Sequence, residues 1–123
     1  MKLIVFKIAE VIMIAKKDMP FCPVALTVNM IGNKWKLLIL RNVLTGTKRF
    51  GELSENINGI SQKVLTDNLR KMEHDGILVR TVYPEVPPRV EYSLSAIGET
   101  MRPIITAMEI WGLEYKKIIS KDW

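Results

Sequence analysis

The sequence predicts a mainly α-helical protein with one small β-hairpin, an α+β arrangement, and three observations carry that expectation. Apolar residues recur at helical spacing along most of the chain. After Gly76 the pattern changes, and two short β-branched and aromatic runs flank a proline-rich stretch. Asn, Ser, Pro and Gly stand where helices should begin and end.

A chain of 123 residues can build one modest core. Its 48% hydrophobic and 25% charged content is that of a globular protein rather than a disordered one. Lys and Arg number 18 against 13 acidic residues, a net charge of +5, which suits a polyanionic partner without demanding one. The lone Cys22 excludes an intrachain disulfide and points to a cytoplasmic setting. The apolar segment Met1 to Ala15 is interrupted by Lys7 and Glu10 and is too short to cross a bilayer as a helix. No small-residue cleavage pattern follows it, so neither export nor a membrane association is expected.

From the N-terminus, Ile4, Ile8, Val11, Ile12 and Ala15 share one helical face, which predicts a helix over Leu3 to Lys17. Asp18-Met19-Pro20 breaks it. Cys22-Pro23 opens a short helix with Val24, Val28 and Ile31 inward, and Gly32 ends it. Asn33 caps the next helix, in which Trp35, Leu38, Ile39, Asn42 and Val43 recur. Phe50 to Ile57 forms another, and Asn58-Gly59 turns the chain. Ser61 caps a longer helix, with Leu65, Leu69 and Met72 inward, that runs to His74 and stops at Asp75-Gly76. Strands over Leu78 to Val82 and Val90 to Leu94 follow, joined by Pro84-Glu85-Val86-Pro87-Pro88-Arg89. Ser95 caps a final helix, kinked near Pro103, with an apolar stripe from Met101 to Ile118. Two short helices meeting at a glycine turn, followed by a hairpin, make a winged helix-turn-helix. The chain divides accordingly into an N-terminal helical extension (1–20), the winged helix-turn-helix (21–94) and a C-terminal dimerisation helix (95–123).

With Leu65, Leu69 and Met72 inward, the Ser61 helix leaves Gln62, Lys63, Thr66, Asp67 and Arg70 outside. A helix entering the major groove by its N-terminal end brings Ser61, Gln62, Lys63 and Thr66 nearest the bases. Gln pairs with adenine edges, Lys with guanine acceptors, and the Thr methyl meets a thymine methyl. Asp67 implies a base contact or an ion pair with Arg70 or Lys71. Lys34, Lys48, Arg49 and Arg70 are the candidate phosphate contacts, which orient a protein without reading sequence. Arg89, at the end of the wing loop, is placed to enter a minor groove, in preference to pairing with Glu85 or Glu91.

Several strings in order resemble the HxlR family of bacterial winged-helix regulators, related to MarR-type proteins. They are Cys22-Pro23-Val24, Ile31-Gly32-Asn33-Lys34-Trp35, Lys48-Arg49-Phe50 with Glu52-Leu53, Gly59-Ile60-Ser61-Gln62, Leu65-Thr66, Leu69 and Asp75-Gly76. The run from Arg80 to Leu94, with Tyr83-Pro84-Glu85-Val86-Pro87-Pro88-Arg89-Val90-Glu91-Tyr92, is the most specific. The resemblance spans roughly Cys22 to Gly112 and implies a homodimeric repressor or activator on a pseudo-palindromic operator in double-stranded DNA. The segment before Cys22 is longer than the resemblance leads one to expect. It either extends the dimer interface or precedes a natural start at Met13 or Met19.

The stripe Met101, Ile104, Ile105, Met108, Trp111 and Tyr115 is too long for so small a core and is the expected dimer interface. Cys22, beside a helix N-terminus that favours thiolate, is the candidate redox sensor, as in some relatives in the resembled family. An unreactive buried thiol is the equal alternative. His74 stands apart from other ligand types, so neither metal nor cofactor is expected. No phosphate-binding glycine loop or nucleophile–base pair suggests an enzyme. The rival to a DNA-binding regulator, its small-molecule effector unknown, is a winged-helix protein-interaction module.

Overall fold

The structure, a computed structural model, describes residues 22–121, so the helix expected over Leu3 to Lys17 lies outside the described residues. Helix α1 (Pro23–Ile31) begins with proline in its first turn, where no amide hydrogen is needed, and Gly32 follows it. Only Ile31 of its expected inner face is buried. Val24 and Val28 remain 70% and 54% exposed, because α1 meets the core only at its C-terminal end. Helix α2 (Lys34–Val43) is capped by Asn33, whose Oδ1 accepts the Lys36 amide at 2.8 Å. Its inner face is turned slightly from the expected one. Lys36, Ile39, Leu40 and Val43 are buried, while Trp35, Leu38 and Asn42 are half-buried.

Strand β1 (Lys48–Arg49) leads directly into α3 (Phe50–Asn56), and a turn leads on to α4 (Gln62–His74). Ser61 caps α4 by accepting the Val64 amide at 3.1 Å. Gly76, at φ 78°, then reverses the chain in a conformation that costs glycine little. Strands β2 (Leu78–Tyr83) and β3 (Arg89–Leu94) pair antiparallel, and β1 adds to the other edge of β3, giving the order β1-β3-β2. The register sets Lys48 opposite Tyr92 and Tyr92 opposite Arg80. It equally aligns Arg49, Glu91 and Thr81. Directly paired residues share a sheet face. Leu78, Tyr92 and Leu94 therefore look toward the helices, and Thr81, Tyr83, Arg89 and Glu91 look away.

The single kinked C-terminal helix expected from the sequence is two helices. Ser95 caps only α5 (Ala96–Glu99), by accepting the Gly98 amide at 3.0 Å, and its hydroxyl faces the carbonyls of Gly76 and Ile77. The chain breaks at Thr100-Met101 and restarts as α6 (Arg102–Lys121). Pro103 thus sits in the first turn of α6, where its missing amide hydrogen and its ring are tolerated, and not at a kink. Gly98 closes the corner: a β-carbon there would lie 2.4 Å from the Ile77 carbonyl oxygen.

Ile39, Leu40, Leu53, Leu65, Leu69, Met72 and Ile77 are fully buried where α2, α3 and α4 pack against the sheet. Each such side chain contributes about 1.5–3 kcal/mol over an exposed one. Among the described residues no helix is long and apolar enough to cross a membrane.

Candidate nucleic-acid interface

Helix α4 is about 20 Å long by its residue count, a length that fits a DNA major groove. Its inner residues Leu65, Leu69 and Met72 are buried, while Gln62, Lys63, Asp67 and Arg70 are exposed. Thr66 is half-buried. It lines, with Phe50, Arg70, Glu73, Arg80 and Tyr92, a cleft of about 410 Å³ between α4 and the sheet. Ser61, Gln62 and Lys63 therefore form the freely presented tip of the helix, and Thr66 is set back from it. Asp67 joins none of the ion pairs formed among the described residues.

Arg80 was missing from the sequence-based set. It lies exposed on β2, in the cleft that Arg70 enters from α4, and neither guanidinium takes part in an ion pair among the described residues. Strict alternation of Leu78, Arg80 and Val82 in the strand after α4 was the signal that could have found it.

Lys48 is half-buried, with its Nζ 3.4 Å from the Gly46 carbonyl, whereas Arg49 is exposed beside the start of α3. The Arg49 amide donates to Glu52 Oε1 at 3.0 Å, fixing that helix start. Lys34 is exposed, its ammonium 4.7 Å from the centre of the Trp35 ring.

Arg89 departs from expectation. Its guanidinium lies 3.9 Å over the Tyr83 ring, 3.2 Å from Glu85 Oε1 and 3.7 Å from Glu91 Oε2. The wing holds it in ion pairs with Glu85 and Glu91 rather than leaving it free for a minor groove. The register explains this, since Tyr83 faces Arg89 directly and Glu91 is two residues on along the same sheet face. The hold is weak. Partly exposed pairs are worth about 0.2–1 kcal/mol each, and the stack about as much. Against them stands the buried Nε, which finds no hydrogen-bond partner among the described residues, a cost of about 1–3 kcal/mol. A phosphate can compete on such terms. Changing Glu85 and Glu91 together to glutamine should therefore release Arg89 and steepen the salt dependence of DNA binding by about one phosphate equivalent. Gel-shift titrations at several salt concentrations check this, and an unchanged slope would show that Arg89 is no latent phosphate ligand.

The expected dimer stripe splits in two. Met101 and Ile105 are 8% and 6% exposed and belong to the chain's own core, and Ile104 is half-buried. Their place follows from α6 packing on the core only through its first turns. Met108, Trp111 and Tyr115 stay exposed, as do Ile110, Leu113 and Ile118, and Trp111 stacks on Tyr115 at 5.2 Å. Between α1 and α6 lies an open apolar groove of about 490 Å³, bordered by Val24, Val28, Ile31, Leu37, Ile104 and Met108. Cys22 is exposed in the protomer, at the N-cap of α1.

Residues 30–120 match the HxlR-like helix-turn-helix family. The chain is 45% identical over 104 residues to the Bacillus subtilis HTH-type transcriptional regulator YdeP, covering 85% of this chain and 81% of that protein. It is 46% identical over 98 residues to an HTH-type transcriptional regulator of Methanothermobacter thermautotrophicus, covering 80% of this chain and 75% of that protein. Among solved structures, the redox regulator HypR in its reduced form superposes with a TM-score of 0.76 at 41% identity, covering 81% of this chain and 99% of that one. The reduced form of YodB from B. subtilis superposes at 0.65 with 34% identity, covering 75% of this chain and 91% of that one. Its sequence match, its wing and its exposed reading helix make this chain a member of the HxlR family of DNA-binding winged helix-turn-helix transcriptional regulators, related to MarR-type proteins.

Proposed function

We propose that the protein is a cytoplasmic homodimer that binds a pseudo-palindromic operator, with α4 of each protomer in successive major grooves. The observation that carries this reading is the contrast along α4: a fully apolar inner face and an exposed tip of Ser61, Gln62 and Lys63 beside a wing. Base contacts come from that tip and Thr66, and phosphate contacts from Arg49, Arg70 and Arg80, with Lys34 and Lys48 as outlying cations. Two-fold symmetry doubles a short readout and matches half-sites about one helical turn apart. The exposed apolar faces of α1 and α6 supply the surface that a second copy would bury.

Cys22 is the proposed redox-responsive group. It is exposed, and the structural relatives include a protein described as a redox regulator in reduced and oxidised forms. As Cys22 is the chain's sole cysteine, oxidation joins two subunits or captures a small external thiol.

A gel-shift titration on the DNA flanking the protein's own gene, with unrelated competitor, tests the reading. A competitor-resistant shift of dimer size that falls steeply with salt supports it. Weak, salt-insensitive association would instead favour the protein-interaction module. Repeating the titration with diamide, on wild type and Cys22→Ser, tests the sensor: an effect equal in both would eliminate Cys22.

A further inference from the structure

We propose that Asn68, held by Asn33, is the positioning residue that fixes the roll of α4 about its own axis and so aims its base-reading side chains. This rests on the DNA-binding reading above. Asn68 is 7% exposed and lies among the otherwise apolar buried residues of α4. Its Oδ1 accepts a hydrogen bond from Asn33 Nδ2 at 3.1 Å, and its Nδ2 donates to the Val64 carbonyl within its own helix at 2.7 Å. Asn33 is anchored in turn, because its Oδ1 accepts the Lys36 amide as the cap of α2. One continuous chain of hydrogen bonds therefore runs from the first turn of α2 to the middle of the reading helix.

The surrounding apolar contacts act differently. Leu65, Leu69 and Met72 give α4 adhesion, but apolar packing has no preferred direction. A buried polar pair does, and such pairs hold register between helices in coiled coils. The geometry shows what is at stake. With side-chain tips about 6 Å from the axis, a roll of about 10° moves them by about 1 Å. That is enough to spoil a hydrogen bond to a base edge. Long arginines that meet phosphate through charge tolerate the same shift. Loss of the Asn33–Asn68 bond should therefore damage sequence discrimination and spare general DNA affinity.

The test uses Asn33→Ser, because serine caps a helix as well as asparagine but cannot reach Asn68. Asn68→Leu is the second variant, and the double variant completes the cycle. The probes are a duplex enriched from a random pool by the wild-type protein and a scrambled duplex of equal composition. Asn33→Ser is expected to lose about tenfold in affinity for the enriched duplex, less than about twofold for the scrambled one, and nothing in salt slope. The double variant should be no worse than the worse single one, as both remove the same bond. Equal losses on both duplexes, or no loss on either, would overturn the proposal while leaving the DNA-binding reading intact. Failure of the wild type to enrich any duplex would remove both together.

Discussion

Replacing Arg70 and Arg80 together with alanine is expected to weaken DNA binding on the order of a hundredfold at each half-site and to make it markedly less sensitive to salt. Both side chains are exposed, line one cleft and take part in no ion pair among the described residues. A charge-assisted hydrogen bond contributes about 1.5–3 kcal/mol, so the two lost from each protomer account for the loss at its half-site. Each phosphate left without its cation should also lower the log–log salt slope by about 0.9. Glu73 shares the cleft and works against anion binding, which keeps the estimate at the lower bound of the range. The loss should be nearly uniform across sequences, because backbone contacts carry no base information. Thermal stability should move little, as neither arginine is buried. Anisotropy titrations at several salt concentrations measure both quantities, and a loss confined to one sequence would show that these arginines read bases instead.

The second large effect is expected from Val28→Asp combined with Trp111→Glu. These residues are 54% and 68% exposed in the protomer, so the fold rests little on them, whereas a dimer burying α1 and α6 would cover them. Burying an unpaired carboxylate costs several kcal/mol, and the two-fold repeats the change in each subunit. Sedimentation should show monomers at micromolar concentration with an unchanged helical spectrum. Operator affinity should fall by a factor of about 10² to 10⁴, the advantage of linking two half-site contacts. A variant that stays dimeric would move the interface elsewhere on the protein.

What the sequence made legible was mostly local. Asn33, Ser61 and Ser95 begin helices because each offers a side-chain acceptor to an amide nearby in the chain, and Gly76 ends one through a backbone angle of its own. What escaped depends on residues far apart. Lys48 and Arg49 form a strand only because β3 lies beside them. Arg89 meets Tyr83, Glu85 and Glu91 through hairpin register and loop shape, which no count of charges reveals. Periodicity identified the stripe from Met101 to Tyr115 as apolar. It could not say that Met101 and Ile105 face their own core while Trp111 faces outward. At the interface, the exposed tip of α4 was legible from its inner face by subtraction. Asn68 was hidden by the same rule, since a polar residue inside a buried stripe looks like an interruption until its partner Asn33, 35 positions away, is in place.

The ion pair between Arg41 on α2 and Glu109 on α6, at 3.1 Å, has a mechanical consequence. Helix α6 is a lever about 30 Å long by its residue count. Its fulcrum is its buried N-terminal end, at Met101 just before it and Ile105 within it, and the Arg41–Glu109 pair is a guy-line fastened partway along it. Both ends of that line are more than half exposed, so it restrains the lever by less than about 1 kcal/mol. A tilt of about 10° would carry the far end by about 5 Å, a displacement comparable with one helical turn. If two such levers join the protomers, small tilts at the fulcrum become large changes in the span between the paired reading heads. The elasticity of α6 then sets which operator spacings the protein can straddle.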